Sequence, residues 1–511
     1  MTAMNRRAFA QTSLMAAGAL ALSPALASTA AAPAKPAVGI GSGAPDAILT
    51  LVDYCLQTTY EKLPADVVAV TKNQIVDTLG IALAGAREPG ALELREFAME
   101  MGGKPEARIW GTDVRVPAQD AARVNATASH ALDFDDTYER SVVHPAVITV
   151  PAAFATADLL GKVSGKDLIT AIALGTDVAC RLANSSQPGV DGFKLGWHNT
   201  SIYGYFASAI VAGKLMGLDR DQLVSALGIV LHQVAGNAQA HVDGALTKRM
   251  GPGFGSYAGV MAARLAQRGV RGAKGVLEGI RGFYHQYHNR NYSREILFEG
   301  LGTTYAAQGL SFKPWPSCRG SHTAADAALQ LVNEHKLKAT DVEAITIYNG
   351  PGEYPLLDTP IEKKRVPTTV VEAQFSNPWV VATALVDGKV GLEHFAPAAF
   401  KRADLLAVTQ RVTAVEDAGL ARPGGGPGGT RIEMRLKDGR TVSKTVSHAK
   451  GEPNNPMSRA EFQQKFMDCT AYAGMGAAQA TSLLQQIERL DTLADAGALT
   501  AAAVIPGAKQ A

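Results

Sequence analysis

The spacing of apolar residues predicts helices from Ala47 to about Gly282. Val68, Ile75, Leu79 and Leu83 recur at near-helical intervals after Leu63-Pro64-Ala65-Asp66, where proline suits a first turn, and Gly85 can close the run. Ser164-Gly165-Lys166-Asp167 opens another helix, which runs through Cys180. Asp219-Arg220-Asp221-Gln222 has capping-box spacing ahead of residues 223–234. Alanine and glycine crowd residues 207–217 and 256–266, and small residues let helices approach closely. No repeat of the kind that marks a solenoid is present.

The pattern changes near Leu310. Ala344-Ile345-Thr346-Ile347-Tyr348 reads as a strand. Ile432, Met434 and Leu436 alternate, Lys437-Asp438-Gly439-Arg440 turns, and residues 441–446 continue as a second strand, which together predict a hairpin. Helices are expected at residues 323–334 and 376–386. Beyond Phe466, the residues Leu483, Leu484, Ile487, Leu490 and Leu493 form one apolar face. The expected fold class is mainly α, a large all-helical domain with a smaller α+β lid domain. The expected boundaries are 46–309 for the helical domain, 310–466 for the lid, and 467–505 for C-terminal helices that return to the first domain.

The N-terminus reads differently. Asn5-Arg6-Arg7-Ala8-Phe9-Ala10 resembles a twin-arginine export signal. A short apolar stretch follows over residues 14–22, broken by Pro24, and Ala25-Leu26-Ala27 fits a cleavage site. Residues 1–27 are therefore expected to be a signal peptide and 28–45 a flexible mature N-terminus. The apolar stretch is too short to span a bilayer. A periplasmic protein with no stable membrane insertion after signal removal is the expectation.

Composition narrows the class. The chain has 511 residues, 47% of them hydrophobic, which rules out a disordered, collagenous or coiled-coil architecture. Its 49 basic and 47 acidic residues leave a charge of +2, which argues against nucleic acid as the main partner. Cys55, Cys180, Cys318 and Cys469 are far apart, so free thiols are expected rather than a metal ribbon or a disulfide framework. Gly251-Pro252-Gly253-Phe254-Gly255 has the wrong spacing for a dinucleotide loop, and the glycine-rich run from Pro423 to Gly429 lacks a strand-to-helix setting.

The densest polar cluster is His130-Ala131-Leu132-Asp133-Phe134-Asp135-Asp136-Thr137, followed by His144-Pro145. Three carboxylates in four residues need cations, protons or a metal to compensate them. A metal or diphosphate site, acid–base chemistry with an aspartate orienting a histidine, and a solvated helix end all fit that spacing. Further polar groups sit at segment starts. They are Gly196-Trp197-His198, then Thr247-Lys248-Arg249 leading into a glycine-rich bend, and the run from Lys313-Pro314-Trp315 through Ser317-Cys318-Arg319 to His322. Helix N-termini and lysines both favour anions.

Taken together these motifs resemble the MmgE/PrpD family, over nearly all of residues 47–493. Glu372-Ala373-Gln374-Phe375-Ser376, Lys450-Gly451 and Asn455-Pro456-Met457-Ser458 belong to the same pattern. The resemblance implies an active site between the two domains, no metal and no organic cofactor, and a homodimer built through the helical domain. It implies catalytic roles for His144, Asp133, Thr137 and Lys248, and substrate binding by His198, Lys313, Arg319 and His322. The implied reaction is proton abstraction beside a carboxylate of a small di- or tricarboxylate. A 2-methylcitrate dehydratase-like hydro-lyase is the main expectation. The alternatives are an isomerase or epimerase, a decarboxylase acting on a cis-aconitate-like substrate, and an exported carboxylate-binding protein without catalysis. Two departures stand out. Met250-Gly251 replaces a Leu-His pair common in relatives, and the stretch between Thr137 and His144 is about one residue longer than in decarboxylase-like members.

Overall fold

The computed structural model describes residues 44–186, 192, 195–422 and 427–506. The expected signal peptide, nearly all of the segment after it, and residues 423–426 of the glycine-rich loop lie outside these.

Seven longer helices build the first core. They are Ala65–Gly85, Ala118–His130, Ala146–Leu160, Gly165–Ser185, Asn199–Leu215, Arg220–Leu231 and Thr247–Gln267. Their starts follow from local chemistry. Ser164 accepts the amide of Asp167, and Asp219 and Gln222 form the expected capping box. Ala146–Leu160 and Asn199–Leu215 are apolar on nearly every face because both lie inside the bundle. Ala65–Gly85 is long and apolar enough to cross a membrane by length and composition, yet most of it is buried in this core.

The Thr247–Gln267 helix corrects the bend expected after Lys248. It continues through Gly251, Pro252, Gly253 and Gly255. The glycines serve close packing. A Cβ at Gly253 would stand 2.4 Å from Thr127 Oγ1, and one at Gly259 would stand 2.0 Å from Ser208 Oγ. Side chains at these points would force the neighbouring helices apart. Two further elements differ from expectation. A two-residue hairpin pairs Ala107–Arg108 with Arg115–Val116 inside the helical region. The strand Val412–Glu416 joins the second core with only Val412 buried, too little for an alternating signal.

The second core holds a four-stranded sheet in the order Val412–Glu416, Val342–Asn349, Thr430–Leu436, Thr441–Val446. The first pair is parallel and the others are antiparallel, including the expected Asp-Gly hairpin. Helix His322–His335 covers one face and Asn377–Asp387 packs against that helix, with Trp379 fully buried. Arg459–Tyr472 and Ala477–Glu488 then pack on Ala65–Gly85, so Leu483, Leu484, Ile487 and Leu490 join the first core. All four cysteines are free thiols.

Two outcomes test this packing. Leu483 is fully buried, so Leu483→Ala should cost about 2–5 kcal/mol in urea unfolding. His288 is fully buried, with Nε2 3.1 Å from the Tyr203 hydroxyl, and burial pushes its pKa down to about 4. A histidine with a depressed folded pKa binds its proton mainly in the unfolded chain. Its contribution is therefore present above about pH 6.5 and lost as pH falls toward 4. His288→Gln should shrink the stability lost between pH 7 and pH 5 by about 2 kcal/mol, read from urea midpoints at the two pH values.

Candidate active site

The site is built on the loop between Ala118–His130 and Ala146–Leu160. Asp133 has φ of 53°, a left-handed conformation that aspartate tolerates better than most side chains. Thr137 pairs with Ser311 through two backbone hydrogen bonds of 2.8 Å, which sets residues 311–313 beside the loop. Lys313 then donates to the Asp133 carbonyl at 2.9 Å, and its Nζ lies 3.3 Å from Asp133 Oδ1. Lys248, in the first turn of Thr247–Gln267, reaches the same oxygen at 2.9 Å. Burial opposes ionisation of Asp133, but the two lysines outweigh it and hold the carboxyl far below the usual range. Lys248 is raised in turn: burial would lower it, but Asp133 and Asp135 together outweigh that.

The three neighbouring carboxylates are compensated in three ways. Asp133 takes cations. Asp135 takes imidazoles, with Oδ2 lying 2.8 Å from His130 Nδ1 and 2.9 Å from His144 Nδ1. Burial would raise the Asp135 pKa, but the two histidines carry it well below the ordinary value. Asp136 accepts hydrogen bonds from Gln74 Nε2 and the Ala146 amide, while burial drives its pKa well above the ordinary value. None of the three is a solvated helix end, and all three are buried.

The aspartate that orients His144 is Asp135, whereas Asp133 is held by the two lysines. His144 Nδ1 also lies 2.6 Å from the Asp136 carbonyl and 3.3 Å from Thr137 Oγ1. Three acceptors around Nδ1 fix the hydrogen there and leave Nε2 for chemistry. His198 caps Asn199–Leu215, with Nδ1 2.7 Å from Ser201 Oγ, and burial holds its pKa well down. His130 lies 5.1 Å from His144 and 5.9 Å from His198 between ring centres, and His241 lies 4.9 Å from His198. A cavity of 230 Å³ opens beside this row, lined by His198, Ser201, Tyr205, Lys248, Gly251 and Phe254.

The structure thus gathers Asp133, Thr137, His144, His198, Lys248 and Lys313. Arg319 and His322 stand in an adjoining network. Arg319 pairs with Glu139 at 2.7 Å, donates to the Lys450 carbonyl at 3.0 Å and donates to His322 Nδ1 at 3.1 Å. His322 Nε2 donates to the Ser317 carbonyl at 3.3 Å. Glu139 leaves the first core and Arg319 belongs to the second, so this pair ties the two together.

Sequence reasoning missed several supports. Lys465 donates to the carbonyls of Phe134 and Lys313 at 2.8 and 2.7 Å and pairs with Asp77 at 2.5 Å. Gln374 donates to the Leu132 carbonyl at 2.8 Å, which explains the motif around it. Gly451, at φ of 93°, brings its backbone against Phe312, where a Cβ would meet the carbonyl at 1.8 Å. No local spacing signals these contacts, apart from the glycine itself.

His130, Asp135 and His144 present three donor atoms within 4.8 Å of one another, a set that could hold a metal ion. Their present bonds describe a hydrogen-bonded triad instead, because a main-chain carbonyl 2.6 Å from His144 Nδ1 calls for a hydrogen on that nitrogen.

A helical core joined to an α+β unit, with lysines and imidazoles around one buried loop, defines an enzyme site for anionic chemistry. The chain belongs to the MmgE/PrpD family. Residues 49–295 match the family's N-terminal domain and residues 315–490 its C-terminal domain. It is 28% identical over 445 residues to the cis-aconitate decarboxylase of Homo sapiens, covering 85% of this chain and 89% of that protein. It is 26% identical over 428 residues to the cis-aconitate decarboxylase of Aspergillus terreus, covering 80% and 85% respectively.

Gly251 offers a direct test of the site's packing. A Cβ there would stand 2.3 Å from Ser201 Oγ and 2.9 Å from His198 Nδ1. An imidazole at this position would have no room in this arrangement. Gly251→Ala should displace His198 and lower kcat/KM by about tenfold or more, while the overpacking costs about 1–3 kcal/mol of stability. Steady-state kinetics beside urea unfolding separates the two effects.

Proposed function

We propose that this chain is a decarboxylase of a small unsaturated tricarboxylate of the cis-aconitate type. The relatives named cis-aconitate decarboxylases support this alternative over the 2-methylcitrate dehydratase expected from the motifs. The observation that carries it is the pair of lysines on one buried carboxylate beside His144. Two ammoniums against one carboxylate leave a positive charge where a substrate carboxylate can bind.

The chemistry follows from the charges. A carbon–carbon bond breaks, carbon dioxide leaves, and the electron pair spreads over the alkene and the neighbouring carboxylate. Lys248 and Lys313 stabilise that negative charge. The carbon then takes the Nε2 proton of a His144 imidazolium, whose Nδ1 keeps its hydrogen towards Asp135, and Nε2 is reprotonated from solvent for the next turnover. Asp135 holds the ring in register, and Thr137 and His198 complete the wall. In this reading no metal or organic cofactor takes part. Residues 1–27 as a twin-arginine leader, a periplasmic location and a homodimer remain part of the proposal, on the strength of the sequence alone.

Proton NMR in D₂O tests the reaction. Incubation with cis-aconitate should release carbon dioxide and place one deuterium on the product. Elimination from 2-methylcitrate without decarboxylation would replace this reading with the hydro-lyase. Deuterium at the α-carbon of iminodisuccinate with an unchanged skeleton would replace it with the epimerase. His144→Gln should abolish turnover while the fold persists by circular dichroism. Retained turnover would remove His144 from the mechanism.

A further inference from the structure

Among the described residues, one buried nitrogen of this site makes no hydrogen bond. His130 ends the helix Ala118–His130 and is 1% exposed. Asp135 Oδ2 at 2.8 Å from Nδ1 fixes the ring hydrogen on that side and leaves Nε2 an acceptor. Nε2 is enclosed, yet it makes no hydrogen bond among the described residues. A buried acceptor left unmet is costly. Such groups are kept where a ligand or an ordered water completes them. The surroundings are those of the site, since the ring stands between those of His144 and His198. Burial keeps the imidazole neutral, with its pKa pushed down to about 4, and the nearby charge of Lys248 adds to this.

We propose that His130 is a further positioning residue, whose Nε2 accepts a hydrogen bond from a water held against the bound cis-aconitate-type substrate, and from the hydroxyl itself when a hydroxylated tricarboxylate such as citrate takes that place. No proton changes owner in this contact. It orients the substrate across from His144, and Asp135, shared by both rings, keeps the two imidazoles in register. The proposal deepens the function proposed above by adding an O–H donor at this edge of the substrate.

Amide isosteres separate this role from simple anchoring of Asp135. In His130→Asn the amide nitrogen falls near Nδ1, so the bond to Asp135 is kept and the Nε2 position is emptied. In His130→Gln the amide falls near Nε2. Substrate contact predicts that the Asn variant loses about tenfold or more in kcat/KM on cis-aconitate and that the Gln variant recovers part of it. Anchoring alone predicts the reverse order, and that result would overturn the proposal.

Citrate and tricarballylate, which share a skeleton and differ by one hydroxyl, serve as competing ligands whether or not cis-aconitate is turned over. Tighter citrate binding that the Asn variant erases assigns the donor to the substrate hydroxyl. Equal weakening of both ligands assigns it to water. Unchanged affinity for both overturns the contact. The wild-type chain gives a readout that needs no variant to fold. The ¹⁵N resonance of His130 Nε2 should shift when either ligand binds, and a resonance that stays in place also overturns the proposal.

Discussion

One buried carboxylate shared by two lysines organises this protein. Asp133, Lys248 and Lys313 come from three segments widely separated in the chain, and each would be costly to bury alone. Together they are affordable, and the arrangement fixes where each segment must lie. Lys248 sets the start of Thr247–Gln267 against the loop. Lys313 sets the entry to the second core. Removing Asp133 would leave both ammoniums uncompensated, a loss of about 3–5 kcal/mol. The positive charge that the trio leaves over is what a carboxylate substrate would recognise.

A second layer holds the first in place. Lys465, brought back by the C-terminal helix, ties the carbonyls on either side of the trio and pairs with Asp77. Gln374 fixes the loop from the side of the second core, and the Glu139–Arg319 pair links the two cores beside it. The site therefore draws on both cores and on the returning tail. Close helix packing through glycine serves the same end, since Gly251 brings Thr247–Gln267 hard against His198 and Ser201.

Much of the fold was legible in order along the chain. Near-helical spacing marked Ala65–Gly85, capping residues marked Gly165–Ser185 and Arg220–Leu231, and an Asp-Gly turn marked the hairpin Thr430–Leu436 with Thr441–Val446. These signals are local, so one segment suffices to show them. The bend expected after Lys248 failed because glycine and proline lower helix propensity, whereas here the packing against Asn199–Leu215 and Ala118–His130 outweighs that cost. Val412–Glu416 was missed because a parallel partner, not its own pattern, holds it in the sheet.

By itself the sequence determined which groups had to be compensated. Three carboxylates in four residues could not stay charged and unpartnered in a core, and the motifs carrying His144, His198, Lys248 and Lys313 named the groups able to meet them. Only the tertiary structure decided the pairing. Asp133 went to the lysines, Asp135 to His130 and His144, and Asp136 to the amides of Gln74 and Ala146. The reason is electrostatic and geometric. Adjacent aspartates look alike in sequence, but successive side chains of a loop point in different directions, and each takes the charge state that its own side of the fold can stabilise.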